Sequence, residues 1–181
     1  MTKYSLSDIK KKIDELALKI NAPTRLLPSY GQQDFGKWCY IDVDRKGYMF
    51  YISVEDRGKE YEQKTSEIDD LLYWIFDNVT FSMACDYELK NRIEDKDNRR
   101  MIFDKQETLL GELNEAWRET KRNTHQHILK SYPFDDLAGL RATFCGQLRK
   151  QGYSETEIKK MAYEKYPYPA SLGDSRNLWV Q

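Results

Sequence analysis

The sequence predicts an α+β fold: a small antiparallel sheet of two or three strands, about residues 38–64, packed against several α-helices, with a helical C-terminal half. Two periodicities predict it. Apolar residues alternate from Trp38 to Val54, as a half-buried strand requires, and from Ile68 onward they recur every three or four residues, as an amphipathic helix requires. The composition supplies the third observation: the 181 residues are 40% hydrophobic and 13% aromatic, enough to fill one core although 33% are charged. A single domain over residues 1–181 is expected, with residues 135–181 as a C-terminal helical hairpin docked on the same core.

The elements follow in order. Ser5 caps a first helix, with Asp8 three residues on and Ile9, Ile13, Leu16, Ala17 and Ile20 at helical spacing until Pro23 stops it. Pro23, Pro28 and Gly31 make residues 21–33 an irregular connection. In the first strand Cys39, Ile41 and Val43 share one face. Asp44-Arg45-Lys46-Gly47 turns the chain, and Tyr48, Phe50, Ile52 and Val54 share a face of the second strand. Lys59 to Lys64 forms a third strand, polar as an edge should be.

Thr65 and Ser66 then open a long central helix carrying Ile68, Leu71, Leu72, Ile75, Phe76 and Val79, with Glu67, Asp69 and Asp70 at its positive end and a run that continues to Ile93. Arg99 to Leu113 and Asn114 to Lys130 are two more helices, with Gly111 weakening their join. Pro133 ends the second. A helix through Leu137, Leu140, Phe144 and Leu148 follows, capped by Asp135 or Asp136, and the box Ser154-Glu155-Thr156-Glu157 opens a last one ending before Pro167.

The charges exclude several classes of function. With 29 basic and 30 acidic residues, no global field holds the molecule on nucleic acid or an anionic membrane. Up to Leu140 the count is 22 basic against 26 acidic, and beyond it 7 against 4, so the tail is mildly basic. Cys39, Cys85 and Cys145 are too few and too scattered for a disulfide framework or a zinc site. The N-terminal stretch lacks the apolar core of a signal peptide, and no apolar run is long enough to span a bilayer. A reducing cytoplasm is the expected location, with no cofactor, no metal and no membrane partner.

The motifs of catalysis are missing. His125 and His127, two apart on a helix, point to different faces, and a surface location is expected for both. Neither Gly-x-Ser-x-Gly nor a phosphate-cradling glycine loop occurs. Pairs such as Asp69-Asp70 and Asp135-Asp136 are explained by helix starts. An enzyme with a carboxylate site is therefore the weakest reading. The densest charged segment runs from Asp86 to Arg100, where Asp86 would face Lys90 and Glu88 would face Arg92 across one helical turn. It reads either as a solvated face or as a polar docking surface.

The block Ile68-Asp69-Asp70-Leu71-Leu72-Tyr73-Trp74-Ile75-Phe76, followed by Asn78 to Ala84 and Asp86-Tyr87-Glu88-Leu89, resembles the immunity protein 63 family. The resemblance extends through Arg99-Arg100, Gly111-Glu112-Leu113 and Pro133 to Asp136, roughly residues 1–136. It implies an antidote, kept in the producing cell, that binds and neutralises a cognate secreted toxin. The partner is then a toxin domain, nucleic acid is not expected, and the contacts are expected at Tyr87, Glu88, Arg92, Glu94, Asp97 and Arg99. The alternative is a nucleic-acid-binding regulator using Arg141, Arg149 and Lys150 of the basic C-terminal hairpin, although Glu155 and Glu157 at the start of its second helix would repel phosphates.

Overall fold

The computed structural model describes residues 4–34, 37–54 and 60–169. It is α+β, as expected, with the order α1 (Leu6–Lys19), β1 (Ser29–Tyr30), β2 (Cys39–Val43), β3 (Met49–Val54), β4 (Glu60–Thr65), α2 (Ile68–Asn91), α3 (Arg99–Leu113), α4 (Glu115–Ser131), α5 (Ala138–Lys150) and α6 (Glu155–Lys165). Residue 59 of the expected third strand and residues 170–181 of the expected hairpin lie outside the described residues.

Local chemistry sets the element ends. Ser5 and Asp8 close a reciprocal capping box on α1, and Ser154 and Glu157 do the same on α6, each satisfying N–H groups that a helix start leaves unpaired. Asn114, extended at φ -160°, separates α3 from α4 and accepts a hydrogen bond from the Ala116 N–H. Gly111 lies inside α3, where a Cβ would come within 2.9 Å of the Arg118 side chain on α4, so its small size serves helix contact rather than a break.

The sheet order is β1-β2-β3-β4. β2, β3 and β4 form the expected antiparallel meander, while β1 pairs parallel with β2 through Ser29 and Tyr30. The connection over residues 21–33 is therefore not wholly irregular. Two residues are too few to show a period, which hides this strand in the sequence. The pairing decides which face of β3 meets the main core. Val43 pairs with Met49 and Ile41 with Tyr51, and paired residues share a face, so Met49 and Tyr51 point into the core beside Cys39 and Ile41. Both faces of β3 carry large apolar groups, and the turn decides between them. Gly47, at φ +88°, and the Asp44 carboxylate, which accepts from the N–H groups of Lys46 and Tyr48, fix the register. Phe50 and Tyr48 face outward beneath the Lys64 ammonium.

One core gathers these layers. Ile9, Ile13 and Ala17 of α1, Cys39 and Ile41 of β2, and Met49 and Tyr51 of β3 meet Leu71, Leu72, Ile75, Phe76 and Val79 of α2, with Leu109, Leu110 and Trp117 closing the far side. α2 runs unbroken through Asn78-Val79-Thr80, where the Thr80 hydroxyl donates back to the Phe76 carbonyl. Polar ties register the layers. The Trp117 indole N–H donates to Asp69, the Asn78 amide to the Tyr51 hydroxyl, and the Gln106 amide to the Asp77 carbonyl, while Lys121 pairs with the Asp77 carboxylate at 2.6 Å.

His125 corrects the sequence expectation. It is buried between α3 and α4, stacked on Phe103 at 3.8 Å with its Nδ1 2.8 Å from Glu107, whereas His127 is exposed. Burial lowers the His125 pKa and Glu107 only partly offsets this, so the ring favours its neutral form. Phe76 is fully buried and stacks on Trp117. Phe76→Ala is expected to cost about 3–5 kcal/mol of stability, read as a lowered denaturation midpoint in urea with an unchanged slope.

Candidate functional site

At about 1.5 Å per residue, the 24 residues of α2 extend roughly 36 Å, nearly twice the length of strands of five or six residues. The helix therefore outruns its cover. Among the described residues, only the partly buried Met83 touches the main core beyond Val79. The inward row changes character along the way, from Leu72 and Phe76 to Thr80, Ala84 and Glu88 at four-residue spacing, all buried. The outward row keeps its apolar groups: Leu89 is 64% exposed and Ile93, just past the helix end, is 59% exposed, with Phe81 and Tyr87 also open to solvent.

The loop from Arg92 to Asn98 turns the chain into α3. Asp95 sits in the left-handed region at φ +59°, which aspartate tolerates better than most residues. The loop is then clasped to the connection between α4 and α5. The Asp97 carboxylate accepts from the Asp135 N–H at 2.9 Å, and in return the Asp136 carboxylate accepts from the Asp97 N–H at 2.9 Å. Arg99 forks onto Asp97 and donates to the carbonyls of Tyr132 and Pro133. Arg100 binds Asp136. Arg141, 7% exposed, grips Asp135 with two nitrogens and donates to the Tyr166 and Pro167 carbonyls beyond α6. Leu148, Ile158 and Ala162 are buried but stand outside the main core cluster, so this charged relay is what ties α5 and α6 to the loop after α2.

Between the two clasped segments lies a groove of about 600 Å³. Five of the six contact residues read from the sequence, Glu88, Arg92, Glu94, Asp97 and Arg99, line it, with Tyr132, Asp135, Asp136 and Leu140 across from them. Their situations differ. Glu88 is 3% exposed and is gripped by both Nε and Nη2 of Arg92, which faces solvent. Asp97 and Arg99 are taken up by the clasp. Glu94 is exposed. Tyr87 lies outside the groove with the Lys105 ammonium over its ring. Asp86 pairs with Arg25 near the end of α1 rather than with Lys90. The doubled charges Arg99-Arg100 and Asp135-Asp136 were the sequence signal for the clasp. Neither aspartate caps α5 as expected: the N-cap is Leu137, without a side-chain cap, and the two carboxylates are drawn into the clasp instead, Asp135 also accepting from the Leu137 N–H ahead of the helix.

The basic C-terminal hairpin is less available than its charge suggests. Arg141 is buried in the clasp, and Arg149 is forked onto Glu155 at 2.6 and 2.9 Å. Lys150 remains exposed. Among the described residues no three His, Cys, Asp or Glu side chains converge as a metal ion would need, and no helix is long and apolar enough to cross a membrane. Burial pushes the Cys39 thiol up to about 12, against the chemistry of a nucleophile.

The clasp carries a pH signature. The Asp97 N–H and then the Arg100 guanidinium hold the Asp136 carboxyl down to about 2. Burial pushes the Asp97 carboxyl up, but the hydrogen bonds from Arg99 and the Asp135 N–H outweigh it, and the net shift is downward. Both folded values lie below the unfolded value near 4, so the stabilisation is complete above about pH 4 and is lost as pH falls toward 2. Asp97→Ala is expected to cost about 2–3 kcal/mol by stranding Arg99 and a backbone N–H. Between about pH 4 and pH 2, the melting temperature of Asp136→Asn should fall less steeply than that of the wild type.

Compared with known proteins, the chain matches no curated protein and no solved structure. A family model does match. Its span is narrower than the stretch on which the resemblance was read, leaving residues 1–45 and everything after 127 outside it, but it contains the second and third strands of the meander, all of α2, the exposed loop, α3 and most of α4. Residues 46–127 match the model of the immunity protein 63 family, the family named by the resemblance.

Proposed function

We propose that this chain is an immunity protein that binds a cognate secreted toxin domain and neutralises it in the cytoplasm of the cell that makes both. The family match supports the class. One structural observation supports the surface: of the nine large apolar side chains exposed among the described residues, Phe81, Tyr87, Leu89, Ile93 and Tyr132 lie on the outrunning half of α2, the loop after it or the wall of the groove. A concentration of exposed apolar groups rimmed by charge is the usual anatomy of a protein-binding patch.

In this reading Tyr87 and Leu89, on different faces of α2, and Ile93 in the groove wall anchor a toxin surface that wraps this end of the helix, while Arg92 and Glu94 form a charged rim that speeds association and selects the partner. Glu88, Asp97 and Arg99 act as positioning residues, holding Arg92 and the loop in place. The reading needs no cofactor and assigns no catalysis. Neutralisation follows if the bound chain covers the toxin's active site or holds it in an unproductive conformation.

The test is co-expression with the toxin domain encoded beside this chain. Growth should be restored by the wild type, and Tyr87→Ala should weaken binding at least about tenfold. Killing that proceeds unchanged while the folded protein is present at the toxin's concentration would overturn the proposal.

A further inference from the structure

The charges around the groove do not cancel. Six carboxylates line it, Glu88, Glu94, Asp95, Asp97, Asp135 and Asp136, against three cations, Arg92, Lys96 and Arg99. Each cation is engaged: Arg92 with Glu88, Arg99 with Asp97, and Lys96 with Asp136 at 3.4 Å. Asp135 and Asp136 also draw Arg141 and Arg100 from outside the lining. Glu94 and Asp95 are left. Both are exposed, and neither enters an ion pair among the described residues. The remaining charge of the groove is thus negative on its loop side, while Ile93, Tyr132 and Leu140 give it apolar wall.

Resting on the antidote reading, we infer that this groove receives a lysine- or arginine-bearing segment of the toxin. The chemistry matches at both ends of such a side chain. Its methylene stem lies against apolar wall, and its charged head finds carboxylates that no internal cation occupies. A phosphate backbone or an acidic peptide meets the opposite situation, because the engaged cations would have to leave Glu88, Asp97 and Asp136 to greet it. The clasp keeps the groove open by fixing one wall to the other through Asp97 and Asp136.

The experiment measures binding of the purified, catalytically silenced toxin domain to the full chain at about 0.05 M and about 0.3 M salt, conditions that differ strongly in screening. The variants are the double reversal Glu94→Lys with Asp95→Lys, and Glu62→Lys on β4 as a distant control. All altered residues are exposed, but lysine tolerates the left-handed backbone at position 95 less well than Asp95 does, so the control should melt near wild type and the double variant a little lower, with binding measured well below both midpoints. The double reversal should weaken binding at least about tenfold at low salt, chiefly through slower association, and reduce the salt dependence. The control should stay within about twofold. Wild-type affinity and salt dependence in the double variant would overturn the inference while leaving the antidote reading intact. A wild type that does not bind the toxin domain would overturn both. A wild type that self-associates through this face, with the double variant monomeric, would show a second copy as the occupant and overturn the inference.

Discussion

A 24-residue helix laid across a four-stranded sheet has to satisfy two unequal requirements along its length. Over Leu71 to Val79 it packs against the sheet and against α3 and α4, while α1 reaches both β2 and α3, and all of them feed one apolar cluster. Both layers of the molecule meet on that stretch, and α1 adds Ile9, Ile13 and Ala17 to the same cluster. Past Val79 the sheet is exhausted and only the helical side remains. The buried row then thins to Thr80, Ala84 and Glu88, and the outer row stays in solvent.

The segments beyond the core are held by charge instead. Asp97, Arg99, Asp135, Asp136 and Arg141 form a relay in which each carboxylate is matched by guanidinium or backbone N–H groups. Such a relay contributes modestly to net stability, since desolvation offsets much of the Coulomb attraction, but it is intolerant of the loss of any one partner. It therefore serves geometry more than stability. It sets the spacing of the two groove walls and carries α5 and α6 as an attachment to the α2–α3 loop.

The core was legible in the sequence and the clasp was not. Helical spacing located α1, α2 and α3 within a residue or two, and Ser5-Asp8 and Ser154-Glu157 announced the caps of α1 and α6, because these signals are local. β1 was invisible, since two residues have no period. The inward face of β3 was not legible, because Tyr48, Phe50 and Ile52 make as good a stripe as Met49 and Tyr51, and only the Asp44–Gly47 turn separates them. His125 was misplaced because a polar helix hid the Phe103 ring that covers it. Of the six residues named as contacts, five line one groove, which reflects their crowding into the α2–α3 loop and the helix ends on either side of it. Their division into positioning residues and exposed ones needed partners about forty positions away, at Asp135 and Asp136.

As proposed, the outrunning half of α2 and the groove beside it form the surface that meets the toxin. Hydrogen exchange on the complex with a toxin domain that the chain binds is the decisive test, because backbone protection maps contact without altering any residue. Added protection should be confined to residues 81–99 and 132–140. Protection on β4 and the outward face of the sheet, with those two segments exchanging as in the free chain, would contradict it.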